Sequence, residues 1–89
     1  MIPDGFRPAE FERVELVPGG KLGARAEAPG AREVFACESG EIEVVASGES
    51  LKLGTGDVAA FGADQPRDYA NRGRRKAVAY RIVATAAAD

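Results

Sequence analysis

The chain has 89 residues, with 12 lysines and arginines against 14 aspartates and glutamates, a formal net charge of −2, one cysteine and no histidine. That length holds one domain, and the near balance of charge supplies no broad positive field for nucleic acid or an anionic membrane. Cys37 has no partner for an internal disulfide, no apolar run nears the roughly 20 residues that span a bilayer, and nothing at the N-terminus resembles a signal core. The chain therefore reads as cytoplasmic, with no membrane and no direct nucleic-acid partner. A domain of this size buries only about 60% of the surface its unfolded chain exposes, so self-association would stabilise it and a homodimer is expected.

Taken in chain order, residues 1–10 contain Pro3, Gly5 and Pro8 and read as an arm. Short runs of Val, Ile, Phe and Ala follow, separated by glycine and proline at the spacing of an all-β sandwich or barrel. Strands are predicted over 11–17, 21–28, 31–38, 41–47, 50–53, 58–61, 67–71 and 76–84, which makes 11–84 the domain and 85–89 a frayed tail. The breaks fall at Pro18-Gly19-Gly20, Pro29-Gly30, Ser39-Gly40, Ser47-Gly48, Gly54-Thr55-Gly56, Gly62 to Pro66 and Arg72-Gly73. No long helix and no internal repeat is visible.

Alternation assigns faces within these strands. Over 21–28 it places Leu22, Ala24, Ala26 and Ala28 together, pointing inward. Glu33, Phe35 and Cys37 share one side of the next strand, with Val34 and Ala36 on the other, so both sides are largely apolar. Ile42 and Val44 alternate with Glu41 and Glu43, a half-buried pattern. Arg67, Tyr69 and Asn71 share a face opposite Asp68 and Ala70, and Val78, Tyr80 and Ile82 form the expected core stripe of the last strand. Gly40 suits a tight hairpin, and Gly54 and Gly56 are expected to bracket a turn that a Cβ would strain. The Gly54-Thr55-Gly56-Asp57 run leads into a strand, so it offers no helix N-terminus to a phosphate. Arg72, Arg74, Arg75 and Lys76 crowd around Gly73 and read as a solvated loop or an intersubunit contact.

Two stretches, GKLGARAEAPGAREVFACESG and GESLKLGTGDVAAFGADQPRDYAN, carry a specific spacing of glycines, proline, glutamate and asparagine. On these residues the chain resembles a small single-domain cupin over roughly residues 14–83, which implies an all-β double-stranded β-helix, or jelly-roll barrel. In that family the first motif supplies two histidines and a glutamate followed by a glycine, and the second supplies a further histidine followed by an asparagine. The resemblance puts Glu33, Gly40, Gly48, Gly54, Gly56, Pro66 and Asn71 in place. Ala26, Ala28 and Arg67 stand where the three histidines belong.

The ligand set is therefore degenerate: Ala26, Ala28, Glu33 and Arg67 cannot hold a divalent ion as three imidazoles and a carboxylate do, because alanine has no lone pair and arginine stays protonated. No metal and no other cofactor is expected. The family geometry implies that Glu33 and Arg67 face the same volume. Three readings follow: an internal Glu33–Arg67 ion pair, an Arg67 free to hold a ligand carboxylate or phosphate, or an Arg67 that snorkels to solvent at the rim. Tyr69, Asn71, Tyr80 and Phe35 complete a candidate barrel pocket, although buried tyrosines are commonly core residues. Cys37 has no histidine to activate it and reads as a small core residue.

The same stretches resemble the cupin domain at the C-terminus of helix-turn-helix transcription regulators, although no helix-turn-helix is readable here. A metal-free, non-catalytic domain that senses a small organic molecule or anion is the leading expectation. The alternatives are a metal-independent isomerase-like enzyme with Glu33 as base, and a structural or dimerisation cupin whose barrel is filled by side chains. An open pocket favours sensing, and a packed barrel favours structure.

Overall fold

The computed structural model describes residues 6–86, with side chains described from Glu10 to Thr85. Eight strands follow one another: β1 Phe6–Leu16, β2 Lys21–Ala24, β3 Arg32–Ser39, β4 Glu41–Ala46, β5 Glu49–Gly54, β6 Val58–Gly62, β7 Arg67–Ala70 and β8 Ala77–Ala86. They form two four-stranded sheets of order β1-β8-β3-β6 and β2-β7-β4-β5, with every pair antiparallel. The described residues contain no helix, so none is long and apolar enough to cross a membrane.

The core lies between the two sheets, as it must in a two-layer β architecture. β3 contributes Glu33, Phe35 and Cys37, and β4 contributes Ile42 and Val44, all buried. Val14 and Leu16 of β1, Leu53 of β5 and Ala59 of β6 close around them. On the opposite side of β3, Val34 and Ala36 are half-buried and face outward. Glu41 and Glu43 likewise lie outside.

Four expectations are corrected. Residues 6–10 are not an arm: they pair with the end of β8, past an irregularity between Pro8 and Glu10, while residues 1–5 lie outside the described residues. Thr85 and Ala86 continue β8, so the tail is shorter than expected, and 87–89 lie outside the described residues. β2 ends at Ala24, because the chain beyond it leaves β7 and is tied elsewhere: the Glu27 amide donates to the Ala63 carbonyl and the Ala31 amide to that of Ala28. Ala26 and Ala28 are consequently exposed and do not point into the barrel. The inward face of β8 is Ala77, Ala79, Arg81 and Val83; of the expected stripe Val78 is buried, while Tyr80 and Ile82 are half-buried on the other side. Register explains this, since Val83, Arg81 and Ala79 stand opposite the inward Glu33, Phe35 and Cys37.

The hairpin glycines also separate. Gly40 has φ of 83°, and a Cβ there would stand 2.9 Å from the Ala77 Cα and 3.0 Å from the Lys76 carbonyl oxygen. Gly54 lacks a positive φ, and its Cβ would meet nothing closer than Asp57 Oδ2 at 3.7 Å, so the expected strain at Gly54 is absent. Gly40→Ala is expected to destabilise the domain by about 1–3 kcal/mol, and Gly54→Ala by less than about 0.5 kcal/mol, in urea unfolding. Equal costs at the two positions would contradict this placement.

Candidate functional site

Arg67 opens β7, and its partners across the barrel come from β3 and from the loops beside it. Arg67 and Glu33 are both fully buried, and the Arg67 Nε–H donates to Glu33 Oε1 at 2.9 Å. The Tyr69 hydroxyl, two residues on and on the same face, lies 2.7 Å from each Glu33 carboxylate oxygen. Arg67 Nη1 lies against three backbone carbonyls: Ala63 at 2.8 Å, Arg25 at 2.9 Å and Gln65 at 3.2 Å. The departure of residues 25–28 from the sheet is what brings the Arg25 carbonyl within reach. Of the three readings for Arg67, the internal ion pair is the one present. The arginine neither snorkels outward nor leaves its Nε and Nη1 free.

A second arginine, which the alternation assigned to the wrong face, also enters the barrel. Arg81 is 8% exposed, its Cζ lies 5.9 Å from the Tyr69 ring centroid, and its Nη2 pairs with Glu12 and, at 3.4 Å, with Glu10 of β1. The Phe35 and Tyr69 rings stack with centroids 4.9 Å apart. Such a pair contributes about 0.5–1.5 kcal/mol beyond its buried area. Among the described residues, three buried nitrogens have no hydrogen-bond partner: Arg67 Nη2, which stands 3.9 Å from Glu27 Oε2, and Nε and Nη1 of Arg81.

Not all expected pocket residues converge. Glu33, Arg67, Tyr69 and Phe35 do. Asn71 is buried, but its amide is consumed by the chain: Nδ2 donates to the Leu16 and Arg75 carbonyls at 2.8 and 2.7 Å, and Oδ1 accepts from the Gly73 amide. It therefore pins the β7–β8 loop to the end of β1, with both of its amide hydrogens in use. Tyr80 lies on the outer face, its ring 6.2 Å from that of Phe11, and takes no part in the interior. The sequence signal for Arg81 was its alternation with Ala79 and Ala77, whose small side chains leave room for a long one.

The electrostatics follow from burial. Desolvation pushes the Glu33 carboxyl above its ordinary value, against the opposing pull of the Tyr69 hydroxyl and the Arg67 and Arg81 charges. Desolvation, joined by the hydrogen bond to Glu33, raises the Tyr69 hydroxyl to about 12, so it stays protonated and donates. Burial likewise raises the Cys37 thiol, which suits a core residue and not a nucleophile.

The residues do not fit a metal ion. The Glu33 carboxylate is already held by Arg67 and Tyr69, the side chains of Ala26 and Ala28 face solvent, and the third histidine position carries a fixed positive charge. Among the described residues no three or more His, Cys, Asp or Glu side chains gather as a ligand group. A recess of about 90 Å³ lies between Val44, Ala46, Leu51 and Phe61, small beside the roughly 300–1,000 Å³ of ordinary ligand pockets. A larger groove of about 440 Å³ runs outside the barrel, among Lys21, Glu43, Asp68 and Arg72 on the outer face of the second sheet.

Two antiparallel sheets closed over an interior in which strands from both halves of the chain converge define a double-stranded β-helix. The family model described as "Cupin domain" matches residues 12–83, and the chain belongs to that family. Among solved structures it is similar to the cupin domain of an XRE family transcriptional regulator from Enterobacter cloacae, at 23% identity and a TM-score of 0.74, covering 88% of this chain and 92% of that one. It is also similar to an HTH_3 family transcriptional regulator from Vibrio cholerae, at 27% identity and a TM-score of 0.78, covering 91% of this chain and 43% of the regulator. A de novo designed double-stranded β-helix matches at 21% identity and a TM-score of 0.69, over 86% of this chain and the whole of the design. No curated protein matches.

Removing one partner of a buried ion pair leaves the other charge uncompensated, at a cost of about 3–5 kcal/mol. Arg67→Met is therefore expected to cost that much in urea unfolding, and Arg67→Met combined with Glu33→Leu to recover at least about 1 kcal/mol of it. Strict additivity of the two single costs would contradict the contact. The pH dependence has a defined sign. Because the folded Glu33 carboxyl sits above the ordinary 4.5, its contribution to stability is present below that value and is lost as pH rises through the folded one. The stability of the wild type relative to Glu33→Gln is expected to fall as pH rises from about 4.5 toward neutrality. A rise over that window would contradict it.

Proposed function

We propose that this cupin acts as a regulatory, non-catalytic module that works through protein association, with its barrel interior occupied by its own side chains. One observation supports the reading: Glu33 and Arg67, at two of the positions where the family resemblance places metal ligands, are fully buried and bonded to each other at 2.9 Å, with the Tyr69 hydroxyl on the same carboxylate. A base for metal-free enzymology would have to be Glu33, and its carboxylate is fully buried and engaged by a guanidinium and a hydroxyl. The likeness to cupin domains of transcription regulators supports a regulatory setting, and fold alone does not carry an activity. This sets the filled-barrel reading ahead of small-molecule sensing.

Sensing remains as a second reading on one specific observation. The unpartnered Nε and Nη1 of Arg81 and Nη2 of Arg67 are buried donors that a small carboxylate or phosphate would satisfy. The experiment separates the two. Purified protein is dialysed against Mn²⁺, Fe²⁺, Ni²⁺ and Zn²⁺ and analysed for metal, and its melting temperature is followed in millimolar acetate, succinate and phosphate. Less than about 0.1 equivalent of each metal and no saturable shift are expected. One equivalent of metal lost in Glu33→Gln, or an anion shift lost in Arg81→Met, would overturn the filled-barrel reading.

A further inference from the structure

The two sheets turn different outer faces to their surroundings. That of β1-β8-β3-β6 is largely apolar, with Val34, Ala36, Tyr80 and Ile82 on it. That of β2-β7-β4 is charged, and it holds the groove of about 440 Å³, a volume within the range of ordinary ligand sites. Register orders the floor of this groove into two rows: Lys21, Ala70 and Glu43 in one, and Gly23, Asp68 and Val45 in the next. Glu43 is already engaged, since its Oε2 accepts from the Ser50 hydroxyl at 2.7 Å and its Oε1 from Arg72 Nε at 2.5 Å. Three charged groups keep capacity for a ligand. Among the described residues Lys21 and Asp68 form no ion pair, and Arg72, whose side chain is 68% exposed, uses only its Nε.

Gly23 keeps the β2 side of the groove open. Its φ is not positive, so the backbone there does not call for glycine, and a glycine inside a strand weakens it while leaving room for another group to approach closely. A Cβ at this position would stand 3.4 Å from Asp68 Oδ1, so the carboxylate leans across β2 and a side chain at Gly23 would cover it. We infer that the groove binds a short linear zwitterion, with its carboxylate between Lys21 and Arg72 over the small Ala70, its ammonium on Asp68, and its methylenes against Val45. The two rows set the length. Ala70 and Asp68 are two residues apart on β7, about 6.6 Å at the β-strand rise, which is the span of an ω-amino acid with four methylenes. Free glycine is too short to reach both ends. The site lies outside the barrel and leaves the Glu33–Arg67 pair intact, so it gives the domain an effector site without opening the interior.

The experiment is a titration of the ¹⁵N-labelled full chain with 5-aminopentanoate to about 20 mM, at neutral pH and constant ionic strength, followed by ¹H–¹⁵N amide shifts. Saturable shifts are expected at Gly23, Ala70 and Val45, with a dissociation constant on the order of 1 mM, as solvent-exposed charge pairs allow. Pentanoate, pentylamine and free glycine each lack one charge or the reach, and are expected to bind at least about fivefold more weakly. The same loss is expected for 5-aminopentanoate on Lys21→Gln and on Asp68→Asn, and Gly23→Val is expected to abolish the shifts at Ala70 and Val45 while leaving the rest of the spectrum as in the wild type. Absence of a saturable shift at the highest concentration would overturn the inference. Pentanoate binding as tightly as 5-aminopentanoate, or binding unchanged in Asp68→Asn, would reduce the groove to a pair of cations that attract any anion, and would overturn it too. Shifts confined to Glu33, Phe35 and Arg81 would put the ligand inside the barrel and overturn the filled-barrel reading as well, whereas a silent groove leaves that reading untouched.

Discussion

An arginine cannot be buried in a β-barrel without a counter-charge and acceptors for its N–H groups, and the interior of this domain is arranged around meeting that demand for Arg67. Its charge is met by Glu33, whose own desolvation is offset in part by the Tyr69 hydroxyl. Its Nη1 lies against the Ala63, Arg25 and Gln65 carbonyls, while Nη2 has no acceptor among the described residues. The loop between β2 and β3 therefore closes one end of the interior. Phe35 stacked on Tyr69 then fills the centre, and Arg81 covers the ring from the β8 side. In a cupin that holds a metal, imidazoles and a carboxylate converge on an ion. Here the Glu33 carboxylate is held by the guanidinium of Arg67.

Much of this was legible in the residues, and the failures have physical causes. The β class and most strand positions followed from glycine and proline punctuation. The shared face of Arg67, Tyr69 and Asn71 followed from alternation, as did the pairing of Ile42 and Val44 against Glu41 and Glu43. Alternation failed where its premise failed. Beyond Ala24 the chain leaves the sheet, so a period of two carries no information about Ala26 and Ala28. In β8 both phases are apolar, and Val78, Tyr80 and Ile82 looked like a better core stripe than one containing an arginine. Only the register against Glu33 and Phe35 turns Arg81 inward. Asn71 illustrates a different limit: its position was legible, but its use as a clamp on the Leu16 and Arg75 carbonyls depends on where distant backbone arrives.

The asymmetry between the outer faces has the same origin. Because β3 and β8 lie in the middle of their sheet and are apolar on both sides, the inward phase builds the core and the outward phase leaves Val34, Ala36, Tyr80 and Ile82 beside solvent. β4 and β7 instead alternate sharply, with Glu43 and Asp68 facing out.

The most direct measurement is of the Arg67 Nε–H proton itself, followed by ¹H–¹⁵N nuclear magnetic resonance in the arginine side-chain region at neutral pH. The structure predicts a downfield, slowly exchanging Arg67 Nε–H signal with a cross-relaxation contact to the Tyr69 ring, lost on replacing Glu33 with glutamine. An Arg67 Nε–H that exchanges at the rate of a solvent-exposed arginine, with no contact to Tyr69, would contradict a barrel closed on its own ion pair.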